Sequence, residues 1–188
     1  MTVSKPKALV VDLETKPSND LKSQDIFMVA GFRPDTEETL EERVTKQQPL
    51  LTLVRQLDHM SLGASFILGH NILAHDLPIL KTYDDSLALL QLPAIDTLKL
   101  SPLAFPQNPY HRLVKDYKLI RDSLNSPLAD CYSTLELFND QRNAFKRLNN
   151  DRKYELLCYQ SLLAPTISAG LGAFFASLTG HKPCLLTR

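Results

Sequence analysis

The feature that most constrains the fold is the apolar run at residues 7–13, KALVVDL, which contains one acid and is followed directly by another. Such a run predicts a buried β-strand whose end carries Asp12 and Glu14. Side chains alternate between the two faces of a strand, so both carboxylates are expected on the same face. Two carboxylates there repel each other unless a cation lies between them, and hard divalent ions prefer oxygen ligands. A merely solvated strand end is the alternative explanation of a D-x-E pattern taken alone.

Alternating strand and helix patterns along the chain predict an α/β layered domain. Further strands are predicted at residues 26–33, 65–68 and 93–98. The periodicity predicts helices at 49–62, from the 69–71 corner through at least residue 79, and at 127–147, 151–163 and 166–178. Residues 16–24 are interpreted as a polar turn, residues 35–47 as an exposed charged connection, and residues 101–110, with three prolines, as a loop.

Length and composition indicate one domain with a small appendage. The 188 residues divide into a main domain at 1–163 and an apolar helix and tail at 164–188. The tail is either ordinary core, a docking element or a linker to a following domain. Three widely spaced cysteines without a CxxC pair indicate neither a zinc ribbon nor a disulfide framework. The expected setting is cytoplasmic, without a membrane partner, since residues 166–178 are too short to span a bilayer.

The charge balance argues against a protein that coats nucleic acid through a large positive net charge. Lys and Arg total 21, and Asp and Glu also total 21. The charge is nevertheless uneven, because the acids outnumber the bases in residues 1–100 and the reverse holds in residues 101–188. An acidic half could hold metal while a basic half holds a phosphate backbone, although chance explains such an asymmetry equally well.

Two further motifs carry acids at element boundaries. In GHNILAHDLP, residues 69–78, a strand ends and Asp76 follows on the next helix. Asn71 there could cap that helix, and His70 and His75 are interpreted as polar surface, because their spacing with Asp76 fits no common zinc signature. In NSPLAD, residues 125–130, Asp130 falls in the first turns of a helix, where the helix dipole favours an acid in any case.

Together, VVDLET, GHNILAHD and the last acid resemble the DnaQ-like (DEDD) 3′→5′ exonuclease superfamily over about residues 7–147. The pair Asp96-Thr97 also falls where many such domains have one. The resemblance implies a ribonuclease-H-like fold with a central mixed sheet flanked by helices. It implies two Mg²⁺ or Mn²⁺ ions on the catalytic acids, and a terminal-nucleotide pocket near Leu13, Thr15 and Asn71. The four acids are Asp12, Glu14, Asp76 and Asp130.

The sequence departs from the family pattern at the general base. The family places a His five residues before the last Asp, or a Tyr four before it, and here those positions hold Asn125 and Ser126. An amide does not titrate near neutral pH and cannot take a proton from water, although Asn125 could orient the water by hydrogen bonding. A helix cap or turn is the structural alternative for this residue. A non-catalytic nucleic-acid-binding module is therefore the alternative function.

Residues 110–121, YHRLVKDYKLIR, together with NSPLAD look like the exonuclease modules fused to RecQ-type DNA helicases. That resemblance makes Asn125 a feature of a subgroup. It implies a single-stranded DNA or DNA 3′-end substrate, with RNA less favoured, and a fused helicase as partner. Basic residues of this segment would contact phosphates or form a solvated face. The candidate substrate-binding residues here are His111, Arg112, Lys115 and Lys118.

Overall fold

The computed structural model describes residues 5–17, 24–108, 126–147 and 165–179. Three sequence predictions fall outside the described residues: the basic segment at 110–121, the general-base position and the helix at 151–163. The individual residues concerned are His111, Arg112, Lys115, Lys118 and Asn125.

A five-stranded mixed sheet forms the centre of the fold, as predicted. Its strands are β1 (Ala8–Pro17), β2 (Gln24–Arg33), β3 (Glu38–Arg43), β4 (Phe66–Gly69) and β5 (Ala94–Asp96). They lie in the order β3-β2-β1-β4-β5. Strand β1 pairs antiparallel with β2 and parallel with β4, β2 pairs antiparallel with β3, and β4 pairs parallel with β5. Strand β1 is therefore the central strand, with β2 on one side and β4 on the other.

Helices flank this sheet, so the α/β class with a mixed sheet is confirmed. They are α1 (Leu50–Met60), α2 (Asp76–Tyr83), α3 (Thr97–Ala104), α4 (Pro127–Arg147) and α5 (Pro165–Thr179), with a short 3₁₀ helix at Ala88–Gln91. In the part of the chain that the structure describes, no helix is both long enough and apolar enough to cross a membrane.

Two buried clusters lie on the two faces of the sheet, and β1 contributes to both by alternation. Ala8 and Val10 pack with residues of α4 and α5, whereas Leu9, Val11 and Leu13 pack with residues of α1 and α2. Helix α4 buries one stripe at helical spacing: Pro127, Cys131, Thr134, Phe138, Gln141 and Phe145. The face of β1 that carries Val10 is thus the face covered by α4.

Helix α5 completes the core on the α4 side. Phe174 contacts Phe138 and Phe145 edge-on, with ring centroids 5.8 and 5.0 Å apart. A Cβ added at Gly170 would lie 2.0 Å from the carbonyl oxygen of Ala94, so this glycine allows close approach of α5 to β5. Because Phe174 and Phe175 are buried, they serve as core side chains, and the division at 163/164 stays a prediction.

Several secondary-structure predictions were wrong in part, of which β3, α3 and the end of β1 are the clearest. Strand β3 lies inside the segment interpreted as a connection. All its side chains except Leu40 are exposed and most are charged, so no apolar alternation marks it. Helix α3 reaches into the predicted loop and includes Pro102. Its start is stabilised by Asp96, whose carboxylate accepts from the N–H of Leu98 at 2.9 Å. Strand β1 also continues to Pro17, beyond the predicted start of the turn.

Candidate functional site

The end of β1 presents its two acids toward α4. Alternation places Asp12 and Glu14 on the same face as Val10, which packs in the cluster shared with α4. The Sγ of Cys131 lies 3.8 Å from the carbonyl oxygen of Val10, so the first turns of α4 cross directly over this strand. Asp130, the residue before Cys131, is thereby brought to the strand end.

Three carboxylates converge at this crossing. Asp12, Glu14 and Asp130 each offer one oxygen, these oxygens all lie within 4.8 Å of one another, and the three residues are partly buried. Like charges this close repel one another unless a cation lies between them. An all-oxygen donor set suits Mg²⁺ or Mn²⁺, so the residues fit such an ion. Within the described ranges no other group of three or more His, Cys, Asp or Glu side chains meets this criterion.

Asp76, the fourth predicted ligand, lies next to this group without being one of the three. It is the first residue of α2 and is buried. Its Oδ1 accepts from the backbone N–H of Leu13 at 3.0 Å, between the two acids of β1. Its Oδ2 lies 3.6 Å from Nδ1 of His75. The structure thus brings all four acids to one region, with Asp76 bound to the backbone of β1 between Asp12 and Glu14.

The start of α4 is defined by a side-chain cap. The hydroxyl oxygen of Ser126 accepts from the N–H of Ala129 at 3.1 Å, and this hydroxyl donates to Oε1 of Glu41 at 2.5 Å. A serine oxygen bonded to the third N–H beyond it is the usual N-terminal cap. The capping role that was the alternative for Asn125 is therefore filled by Ser126. Glu41, on β3, was not predicted to lie near the site.

The corner between β4 and α2 is held by a buried carboxylate on β5. Asp96 accepts from the N–H groups of Asn71 and Leu73 at 2.9 and 3.2 Å. Asn71 has a positive φ of 63°, a conformation that asparagine tolerates better than most residues. Helix α2 begins only at Asp76, so Asn71 is a turn residue and the interpretation as a helix cap was wrong.

The two histidines of this motif are not simple surface residues. Nδ1 of His70 lies 2.9 Å from Oγ1 of Thr97, and burial lowers the pKa of His70 although Asp96, Asp130 and Asp76 oppose that shift. Nε2 of His75 lies 3.2 Å from Oγ1 of Thr15. The neighbouring Asp76 carboxylate raises the pKa of His75 against the effect of burial. Both side chains are thus partly exposed, and each contacts a threonine hydroxyl.

The remaining candidates have distinct surroundings. Leu13 is buried in the cluster shared with α1 and α2, so protein covers most of the apolar surface predicted there. Thr15 lies just beyond a register shift between Glu14 and Thr15 in the pairing of β1 with β2. Burial raises the pKa of the Cys131 thiol well above its usual range, which keeps it protonated and unsuited to metal binding.

A scan against protein-family models found no match to the chain, and a search of curated proteins found no significant match.

Proposed function

We propose that the chain is a metal-dependent 3′→5′ exonuclease of the DnaQ-like (DEDD) kind, acting on a DNA 3′ end. RNA is the less favoured substrate. The observation that carries this proposal is the convergence of Asp12, Glu14 and Asp130 to within 4.8 Å. It is supported by Asp76, which reaches the same strand end through the N–H of Leu13. The mixed sheet flanked by helices is compatible with a ribonuclease-H-like fold.

Each part of the chain has its own task in this proposal. The four acids would hold two Mg²⁺ or Mn²⁺ ions. When bound, such a pair activates the attacking water and neutralises charge on the phosphate and the leaving oxygen. Thr15 would bind the terminal sugar. Asn125 would orient the water by hydrogen bonding without accepting its proton. The basic segment would contact the phosphate backbone through His111, Arg112, Lys115 and Lys118.

A non-catalytic nucleic-acid-binding module is the second candidate, and two observations favour it. Asn125 occupies the position where the family has a titrating base. In addition, the two oxygens of Asp76 already face the N–H of Leu13 and the ring of His75. A site with these features could retain metal and nucleic acid while turning over very slowly.

The test is release of nucleotides from single-stranded DNA in Mn²⁺ or Mg²⁺. A strand labelled at its 3′ end should yield labelled mononucleotide at once, and a 5′-labelled strand should yield a descending ladder. Asp12→Asn should abolish both. The matched control is Asp85→Asn, which removes the same charge at an exposed position outside the group.

Mn²⁺ binding, measured by electron paramagnetic resonance, separates the two candidates. Metal and DNA binding without nucleotide release would support the binding module. An absence of metal binding by the wild type would contradict the exonuclease proposal.

A further inference from the structure

His75 connects two parts of the proposed site that belong to different elements. It directly precedes α2, and its side chain is 33% exposed. On one side, its Nε2 lies 3.2 Å from Oγ1 of Thr15 on β1. On the other side, its Nδ1 lies 3.6 Å from Oδ2 of Asp76. The ring therefore spans the distance between a hydroxyl and a carboxylate.

The two ring nitrogens suit these neighbours. A neutral imidazole has one N–H donor and one acceptor nitrogen. With the proton on Nδ1, the ring donates toward the Asp76 carboxylate and accepts from the Thr15 hydroxyl, so both contacts are favourable. Asp76 in turn accepts from the N–H of Leu13. Two hydrogen-bond contacts, Leu13 with Asp76 and Thr15 with His75, are thus joined by the 3.6 Å approach of His75 to Asp76.

The position of Thr15 makes these contacts useful. The register shift between Glu14 and Thr15 interrupts the regular pairing of β1 with β2. Beyond it the pairing resumes in a shifted register at Thr15, whose hydroxyl contacts His75. Functional sites achieve accurate geometry when a packed neighbour holds each substrate-binding group in place.

We infer that His75 is a positioning residue that fixes the Thr15 hydroxyl relative to Asp76. Through Thr15 it would place the 3′ end of the DNA strand against the carboxylates. The inference rests on the proposed function. His75 is not one of the proposed metal ligands. The inference predicts that the His75 and Thr15 side chains act together on the end of a DNA strand.

Kinetics of four variants test the role. His75→Ala should raise KM for a single-stranded DNA end about 5-fold, the equivalent of one neutral hydrogen bond of about 1 kcal/mol, with kcat nearly unchanged. Thr15→Val should have a similar effect, and the double variant should be no worse than either single variant, because the two act through one contact. His75→Gln, which keeps an acceptor, should recover part of the loss. Unchanged KM or additive effects would overturn the inference.

A second measurement does not depend on activity. The ring ¹⁵N chemical shifts of His75 report which nitrogen carries the proton, and Thr15→Val should move them. The ring of His59, exposed at the end of α1, is the internal control and should not move. Unmoved His75 shifts would show that the contact is absent in solution, and the inference would fail whatever the enzyme does.

The two measurements separate this inference from the proposed function. If Thr15→Val moves the His75 shifts but the wild type neither binds nor cleaves DNA, the proposed function fails and takes the positioning role with it. If the wild type releases nucleotides while the variants leave KM unchanged, only the positioning role fails. Mn²⁺ affinity should stay within about 2-fold in Thr15→Val, since that side chain offers the ion no carboxylate.

Discussion

The backbone N–H of Leu13 donates to Oδ1 of Asp76 at 3.0 Å, across 63 residues of sequence. The bond is buried and reaches β1 between its two acids. A backbone donor cannot rotate away as a side chain can, so it holds the carboxylate in one orientation. The side chain of Leu13 packs into the core shared with α1 and α2. This point of β1 is therefore both a structural support and part of the candidate site.

Divalent metal should stabilise the fold through the three convergent carboxylates. At a concentration 100 times its Kd, a bound ion adds about 2.7 kcal/mol by linkage. Asp130→Asn should lose this gain: its thermal unfolding midpoint should no longer rise when Mn²⁺ replaces chelator, because one of the three carboxylates that would hold the ion is gone. Asp140→Asn, exposed on the same helix, is the control and should keep the full metal-dependent rise.

Replacement of Asn125 by histidine should raise the rate of nucleotide release. A titrating base contributes about 10²–10⁴-fold in many enzymes, and the amide supplies none of that contribution. Asn125→His is therefore expected to increase kcat by about 10-fold or more in Mg²⁺, with a pH profile that levels off near the pKa of the new imidazole. Single-turnover kinetics on a short DNA strand measure this directly. A wild type that already levels off near neutrality would show that another group serves as base.

Ser126→Ala, which removes the cap on α4, should lower the free energy of unfolding, whereas Asn125→Ala should not. Ser126→Ala removes the oxygen that accepts from the N–H of Ala129, and a lost N-cap costs about 1 kcal/mol. Urea unfolding of Ser126→Ala and Asn125→Ala side by side checks the difference. An equal loss in both variants would mean that Asn125 shares the capping role.

Asp96 should be among the most sensitive polar positions in the chain. Its buried carboxylate accepts from the N–H groups of Asn71, Leu73 and Leu98. Asp96→Ala leaves these donors without their acceptor, at a cost of about 3 kcal/mol in the free energy of unfolding. Asp84→Ala, which removes an exposed carboxylate bonded to Ser86, should cost much less. Similar urea midpoints for the two variants would contradict the account of this corner.

The partly buried His70 should make the metal-free protein less stable as pH falls. Burial lowers its pKa in the folded state, so below about pH 6.5 the unfolded chain binds more protons than the folded one. Stability is then complete above this pH and declines as pH falls from the unfolded toward the folded pKa. In chelator, the urea midpoint of the wild type should fall more steeply between pH 7 and 5 than that of His70→Gln. His75 is present in both proteins, so its opposite contribution cancels in the difference, and parallel curves would contradict the prediction.

The sequence predicted the elements that have a local signature. The 21 residues of α4 match the predicted helix at 127–147, because Pro127 suits a first turn and apolar residues recur on one side. The pairing of Asp12 with Glu14 on one face follows from strand alternation alone. Convergence with Asp130 was reached only through the resemblance, since nothing local to α4 shows that it crosses the end of β1.

What the sequence did not predict depends on tertiary contacts. Strand β3 has no apolar stripe, because β2 pairs with one edge of its backbone while its side chains stay largely in solvent. Helix α3 forms although it contains Pro102. Asp96 caps its first turn, and the Ser101 hydroxyl donates to the carbonyl of Thr97 within the helix. The contact of His75 with Thr15 joins residues 60 apart, and the only local signal was a histidine immediately before a predicted ligand.

The charged, exposed face of β3 has a consequence for how this protein behaves at high concentration. A strand at the margin of a sheet offers unpaired backbone groups on which a strand of another molecule could add. Here that margin carries Glu38, Glu41, Glu42 and Arg43, so a second copy would meet a mostly acidic row of side chains. At the opposite margin, β5 has only three residues and α5 packs against it. Both ends of the described sheet thus discourage intermolecular strand addition, one by repulsion and the other by shortness and cover.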